Sequence, residues 1–184
     1  MTLEIFGFRA LWSPFFILFL ILATLIYILA TTLYRQKISS DSEPLSIKQW
    51  SCFIVTVVLL YIVKGSPVDL LGHIMFSVHM TQMALLYLLL PPLFILSIPK
   101  WLWRTFLQVG IVKPLFHFLT KPLIALFLFI GMFSLYHIPV IFDAIKTDML
   151  LHSVYTIVLF ITAVCTWWPL VNELEEYQGF LGLK

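Results

Sequence analysis

The sequence predicts an all-α, polytopic transmembrane bundle of about five spans with its N-terminus outside, and three observations predict it. Of 184 residues, 61% are hydrophobic and only 11% are charged, whereas a soluble domain runs nearer a quarter charged. A globule of this size has no room to hide so much apolar surface from water. The apolar residues also fall in runs near the ~20 residues that a helix needs to cross a bilayer core. One bundle spanning residues 1–184, with no separate soluble domain, is therefore expected.

The first run covers about residues 14–34 and is closed by Arg35 and Lys37. It exceeds a typical signal-peptide core and no convincing small-x-small cleavage pattern follows, so it reads as a retained anchor. The second, about 47–63, stops at Lys64-Gly-Ser-Pro67; ~17 residues at ~1.5 Å each barely cover the hydrocarbon. The third, about 72–98, carries Pro91-Pro92 near its end, and a double proline there is expected to break or kink the helix. The fourth covers about 122–137, ended by Pro139; the fifth covers about 149–170, ended by Trp-Trp-Pro169. Between the third and fourth, residues 99–121 mix Trp101 and Trp103 with Arg104, Lys113 and His117, which suits a short segment in the headgroup layer. The polar stretch 36–49 reads as a plain loop between helices.

Five spans put the loop after the first run, residues 99–121 and the C-terminus on one side, with Arg35, Lys37, Lys48, Lys100, Arg104, Lys113, Lys121 and Lys184. The other side holds Arg9, Lys64 and Lys146. Eight cations against three place the C-terminus in the cytoplasm by the positive-inside rule.

This orientation sorts the histidines by depth. His73 opens the third run at the outer surface, and His79 lies ~9 Å deeper by helical rise. His137 closes the fourth run and His152 begins the fifth, both at the outer surface. His117 alone lies on the inner side. Met75, His79 and Met83 are spaced i, i+4, i+8 and share one helical face. Imidazole with thioether is a ligand set for copper, above all Cu(I), and a poor one for calcium or magnesium. Asp69, Asp143 and Asp148, in the outer loops, are placed to draw a cation inward. A single histidine in a bundle also reads as a helix–helix hydrogen bonder, and methionine as a core filler. Spacing does not choose between a copper site and a bis-histidine haem.

Other chemistry is excluded. The small net charge of +2 and the absence of a basic arm argue against nucleic acid as a partner. Cys52 and Cys165 form no C-x-x-C pair, which removes thioredoxin-like chemistry. No phosphate-binding loop, dinucleotide fingerprint, nucleophile elbow or H-E-x-x-H motif is present, so an enzyme is not expected. Glu173, Glu175 and Glu176 read as a solvated acidic patch past the last span.

Two ordered sets of motifs carry a resemblance. The first is S-P-V-D-L-L-G (Ser66–Gly72), F-S-V-H-M-T-Q-M (Phe76–Met83) and L-P-P-L (Leu90–Leu93). The second is Y-H-I-P-V-I-F-D-A (Tyr136–Ala144), L-L-H (Leu150–His152) and W-W-P-L (Trp167–Leu170). In this order, over about residues 6–175, the chain resembles the CtaG family of bacterial cytochrome c oxidase assembly factors, of the polytopic Gram-positive kind. The resemblance implies a multi-pass plasma-membrane protein that helps form active haem-copper oxidase, with oxidase subunits as partners and copper delivery as its role. His79, His137 and His152 match the family's recurrent histidines, and Asp69, Pro91, Pro92, Pro139, Trp168 and Pro169 its structural landmarks. Many members read H-M-x-Q-H where this chain has Met83, and carry a second histidine where it has Thr156. Members also continue into further helices, so a truncated C-terminus is expected.

The leading expectation is a copper ion held by His79 with Met83, His137 and His152, and His73 as entry ligand. The alternatives are a b-type cytochrome with haem between His79 and His137 or His152, and a metal-free scaffold for oxidase subunits. A copper permease ranks last, because polar residues inside the spans are too few for a continuous pathway.

Overall fold

The computed structural model describes Gly7, residues 11–172 and Leu174, so Arg9, Lys184 and the Glu173, Glu175 and Glu176 patch lie outside the described residues. The described residues are helical with no strand, as the all-α reading expects. They fold as two compact units, divided between Thr105 and Phe106.

In the first unit, α1 (Pro14–Thr31) starts with proline at its first turn, where a missing N–H costs nothing. Its apolar side chains face outward, Phe15 81% and Ile26 66% exposed, which suits a lipid-facing span. Its inner contacts are specific. The Tyr27 ring stacks on Phe53 at 3.9 Å, and its hydroxyl donates to the Ser97 carbonyl at 2.6 Å. A short turn, α2 (Arg35–Ile38), interrupts the polar stretch expected to be plain loop.

Helix α3 (Ile47–Gly65) begins at a capping box: the Gln49 amide N–H donates to the Ser46 hydroxyl at 3.2 Å, and the Ser46 N–H donates to the Gln49 side chain at 2.9 Å. It runs to Gly65, giving 19 residues and ~28 Å of rise, longer than the apolar run alone indicated. Helix α4 (Pro67–Ile74) follows at once, capped by Ser66, whose hydroxyl accepts from the Val68 N–H at 3.2 Å. Met75 is extended (φ −116°, ψ 116°) and separates α4 from α5 (Phe76–Ser97).

Two expectations are corrected here. His73 lies on α4, not on the third span, so a straight helical rise does not set its distance from His79. Met75, outside the helix and 49% exposed, does not share the buried face of His79 and Met83. The proline pair is also accommodated rather than terminal. Residues Leu85–Leu89 form a π turn, with the Leu90 N–H donating to the Leu85 carbonyl. Widening the turn just before Pro91 absorbs the missing donors and the ring clash that would otherwise stop the helix.

In helix α6 (Lys100–Leu107) the two tryptophans are turned into the protein. Trp101 and Trp103 are 6% and 9% exposed; their indole N–H groups donate to the Glu43 and Ile95 carbonyls, each at 3.2 Å. Both indoles find acceptors inside the protein, as buried tryptophans usually do. Trp101→Phe is expected to cost about 1 kcal/mol through the lost bond to Glu43. Thermal unfolding in detergent checks it, and an unchanged midpoint would refute it.

The second unit contains α7 (Val112–Leu119), α8 (Pro122–Tyr136), α9 (Pro139–Thr147) and α10 (Met149–Val171). Proline opens α8 and α9. Asp148 caps α10, its carboxylate accepting from the Leu150 and Leu151 N–H groups at 2.8 and 3.0 Å. It is a helix cap rather than a loop charge poised for a cation. Pro169 sits inside the last turn of α10, which ends two residues later at Val171. Ala125 and Ala163, both fully buried, are among the small residues that suit close approach of α8 and α10.

Among the described residues, four helices are long and apolar enough to cross a membrane: α1, α3, α5 and α10. The fourth run of the sequence, α8, has only 15 residues, ~22 Å of rise. It meets α7 at a 78° bend, and the count reaches five if the bent pair is one crossing.

Candidate functional site

Each unit carries its own histidines. In the first, His79, Gln82 and Met83 are the buried residues of the opening turns of α5, 8%, 5% and 5% exposed. His79 and Met83, four apart, therefore share an inward face as the spacing predicted. Gln82 is the residue that sequence reasoning passed over. Its side-chain amide donates to the Val63 carbonyl at 2.9 Å and to the Val68 carbonyl at 3.2 Å. Val63 lies four residues before Pro67, which has no N–H to offer it, and the glutamine supplies the donor. Gly72 leaves the space in which that amide rests: an added Cβ would collide with the Gln82 Oε1 and lie 2.6 Å from its Cδ. The available signal was a polar residue in mid-span following a proline-started helix.

Around this latch, Asp69 pairs with Lys64 at 3.3 Å, both about a quarter exposed. Such a pair contributes at most ~1 kcal/mol and answers much of the carboxylate's charge locally. His73, exposed on α4, donates from Nδ1 to the Asp69 carbonyl at 2.8 Å. A carbonyl only accepts, so this bond puts the proton on Nδ1 and the lone pair on Nε2.

In the second unit, three contacts set the register of α8 against α10. The Thr166 hydroxyl donates to the Ala125 carbonyl at 3.1 Å, and the Tyr155 hydroxyl to the Met132 carbonyl at 2.7 Å. Near the other end, the Tyr136 and Tyr155 rings stand 5.6 Å apart. The helices are thus antiparallel, and His137, the C-cap of α8, comes to the level of His152 in the first turns of α10. His137 donates from Nδ1 to the Phe133 carbonyl at 2.6 Å, again directing the lone pair to Nε2. A backbone carbonyl that accepts from one ring nitrogen is a usual way for a ligating imidazole to be oriented. Thr156, one turn after His152, donates to the His152 carbonyl at 2.8 Å and is no ligand.

Within either unit, no three His, Cys, Asp or Glu side chains of the described residues form a metal-holding group. The donor sets available are small and soft: an imidazole with a thioether on α5, and two imidazoles at one end of α8 and α10. Such sets fit Cu(I) better than a hard cation.

These features define a polytopic helical membrane protein that buries imidazole, thioether and amide side chains among its helices. The chain belongs to the cytochrome c oxidase caa3 assembly factor family, whose family model matches residues 25–182. That agrees with the resemblance read from its motifs. An assembly-factor family is not a catalytic class. No curated protein and no solved structure matches the chain.

Proposed function

We propose that the chain serves cytochrome c oxidase assembly at the bacterial plasma membrane by carrying copper as cargo, without catalysing a reaction. His79 with Met83 would hold Cu(I) in the first unit, and His137 with His152 in the second, with His73 as an entry ligand. The observation that carries the reading is the level pairing of His137 and His152, with the Nδ1 proton of His137 held by the Phe133 carbonyl. A site of few, soft ligands keeps transfer to a better-ligated acceptor downhill, which a carrier requires. Met75 at 49% and Met149 at 86% exposure offer thioethers at the surface of each unit.

The test is copper analysis of the purified protein after loading with Cu(I), comparing wild type with His79→Ala/His137→Ala/His152→Ala. Loss of at least half the bound copper is expected, with the helical circular dichroism unchanged. Unchanged copper in the triple variant would refute the ligand assignment. A Soret band in the purified protein would replace copper by haem.

A further inference from the structure

Helix α7, the shorter half of the bent pair, has three distinct faces. Val112, Phe116 and Leu119 are half-buried, and the Phe116 ring meets Trp168 of α10 edge-on at 4.9 Å. Ile111, Leu115 and Phe118 point away from the protein, 82%, 55% and 52% exposed. Lys113 and His117, spaced i and i+4, are exposed on the side opposite those apolar residues. Lys121, exposed just beyond the helix, lies with its ammonium 5.7 Å from the centre of the Phe118 ring.

The direction of α7 follows from its neighbours. Helix α10, with 23 residues and ~34 Å of rise, is long enough to cross a bilayer core. Helix α8 packs antiparallel along it, and α7 leaves α8 at 78°. If α10 crosses the membrane, α7 lies close to the membrane plane. A helix in that attitude with an unpartnered apolar face and a cationic face is built for the boundary between acyl chains and headgroups.

The charge is one-sided. No Asp or Glu occurs between Asp69 and Asp143, so Lys113 and Lys121 have no acidic neighbour in sequence. Lysines on an interfacial helix attract anionic phosphates, each contributing about 1 kcal/mol near a charged leaflet, or about five-fold in affinity. The ammonium of Lys121 over the Phe118 ring is a cation–π contact that holds the charge beside the apolar face, at the level where headgroups meet acyl chains.

We infer that α7 and Lys121 form a docking surface for anionic phospholipid, with Ile111, Leu115 and Phe118 in the acyl layer and Lys113 and Lys121 on headgroup phosphates. The surface lies at the opposite end of α8 from His137, and the inference does not rest on copper binding. By the cation count, this is the cytoplasmic leaflet.

The experiment uses the full chain, purified in neutral detergent and offered equal amounts of phosphatidylglycerol and phosphatidylcholine, with retained lipid measured by mass spectrometry. Wild type is expected to retain phosphatidylglycerol several-fold over phosphatidylcholine, and Lys113→Gln/Lys121→Gln to lose most of that preference. Lys146→Gln, on α9, serves as the control and is expected to keep it. Raising the salt on wild type alone should reduce the preference in the same direction, because exposed charges are screened. That arm stands even if the double variant folds poorly. Independently, an environment-sensitive fluorophore on Ile111→Cys, in a Cys52→Ser/Cys165→Ser background, should shift to the blue on reconstitution into phosphatidylglycerol-containing nanodiscs. Equal retention of the two lipids by wild type, or a fluorophore that reports water in the bilayer, would overturn the assignment.

Discussion

Gly72→Ala is expected to destabilise the protein by about 2 kcal/mol, and to do so only when Gln82 is present. The new methyl group collides with the end of the Gln82 side chain. That side chain is flexible and moves aside, but in moving it releases the Val63 and Val68 carbonyls. Val63 is fully buried and its carbonyl faces a proline four residues on, so no backbone donor replaces the amide. Leaving a buried acceptor without a donor costs roughly 1–3 kcal/mol. Gln82→Ala should therefore cost about as much as Gly72→Ala. The double variant should cost little more than either alone, a coupling of about 1.5 kcal/mol. Equilibrium unfolding by SDS titration in mixed micelles measures all three. Simple additivity would show that Gly72 and Gln82 do not act through the same contact. The latch also fixes α4, and with it His73, against α5, so either substitution should loosen the His73 region first.

Trp168→Ala is expected to have the largest single effect in the second unit, about 3–4 kcal/mol by the cost of removing a buried indole. Trp168 is 1% exposed and supplies the surface on which Phe116 of α7 rests. Inside a membrane protein the loss is one of packing contact rather than of shelter from water, because lipid is as apolar as the core. The Asn172 side chain and N–H both donate to the Trp168 carbonyl, at 2.8 and 3.0 Å, and these bonds survive the substitution. The effect should thus concentrate on α7. Limited proteolysis should cut between α6 and α7 sooner in the variant, and Trp168→Phe should recover about half the loss. Stability within 1 kcal/mol of wild type would show that the indole is not what holds α7.

Much of the fold was legible because lipid selects on composition. The starts of α1, α3, α8 and α10 fall within a residue of the runs read from hydropathy, each marked by a local signal: Pro14, the Ser46–Gln49 box, Pro122 and Asp148. The places where the reading failed share a different cause. Trp101 and Trp103 have the side chain expected in a headgroup layer, and only the folded chain reveals that the Glu43 and Ile95 carbonyls accept from them. Pro91-Pro92 signals a break or kink, and only the structure shows that the interruption is a π turn through which the helix continues. Met75 fits the i, i+4 pattern of His79 and Met83, yet its own backbone is extended, and periodicity is blind to that break.

For the candidate site the division is similar. Sequence singled out the candidate ligands: His73, His79, Met83, His137 and His152 stand out because imidazole and thioether are scarce ligating groups in a chain that is 61% hydrophobic. It also determined that this is a membrane protein of helices, since continuous apolar runs of about 20 residues match a helical crossing, whereas a barrel strand needs only about 10 residues of alternating pattern. Tertiary structure decided what those residues are held by. The register of α8 and α10 brought His137 level with His152, the break at Met75 moved His73 onto a helix of its own, and Gln82 became the residue that joins α4 to α5. Hydropathy reports how a residue relates to its solvent. It does not report which carbonyl lacks a donor, and that shortage, created by prolines at the helix joints, is what Gln82 meets here.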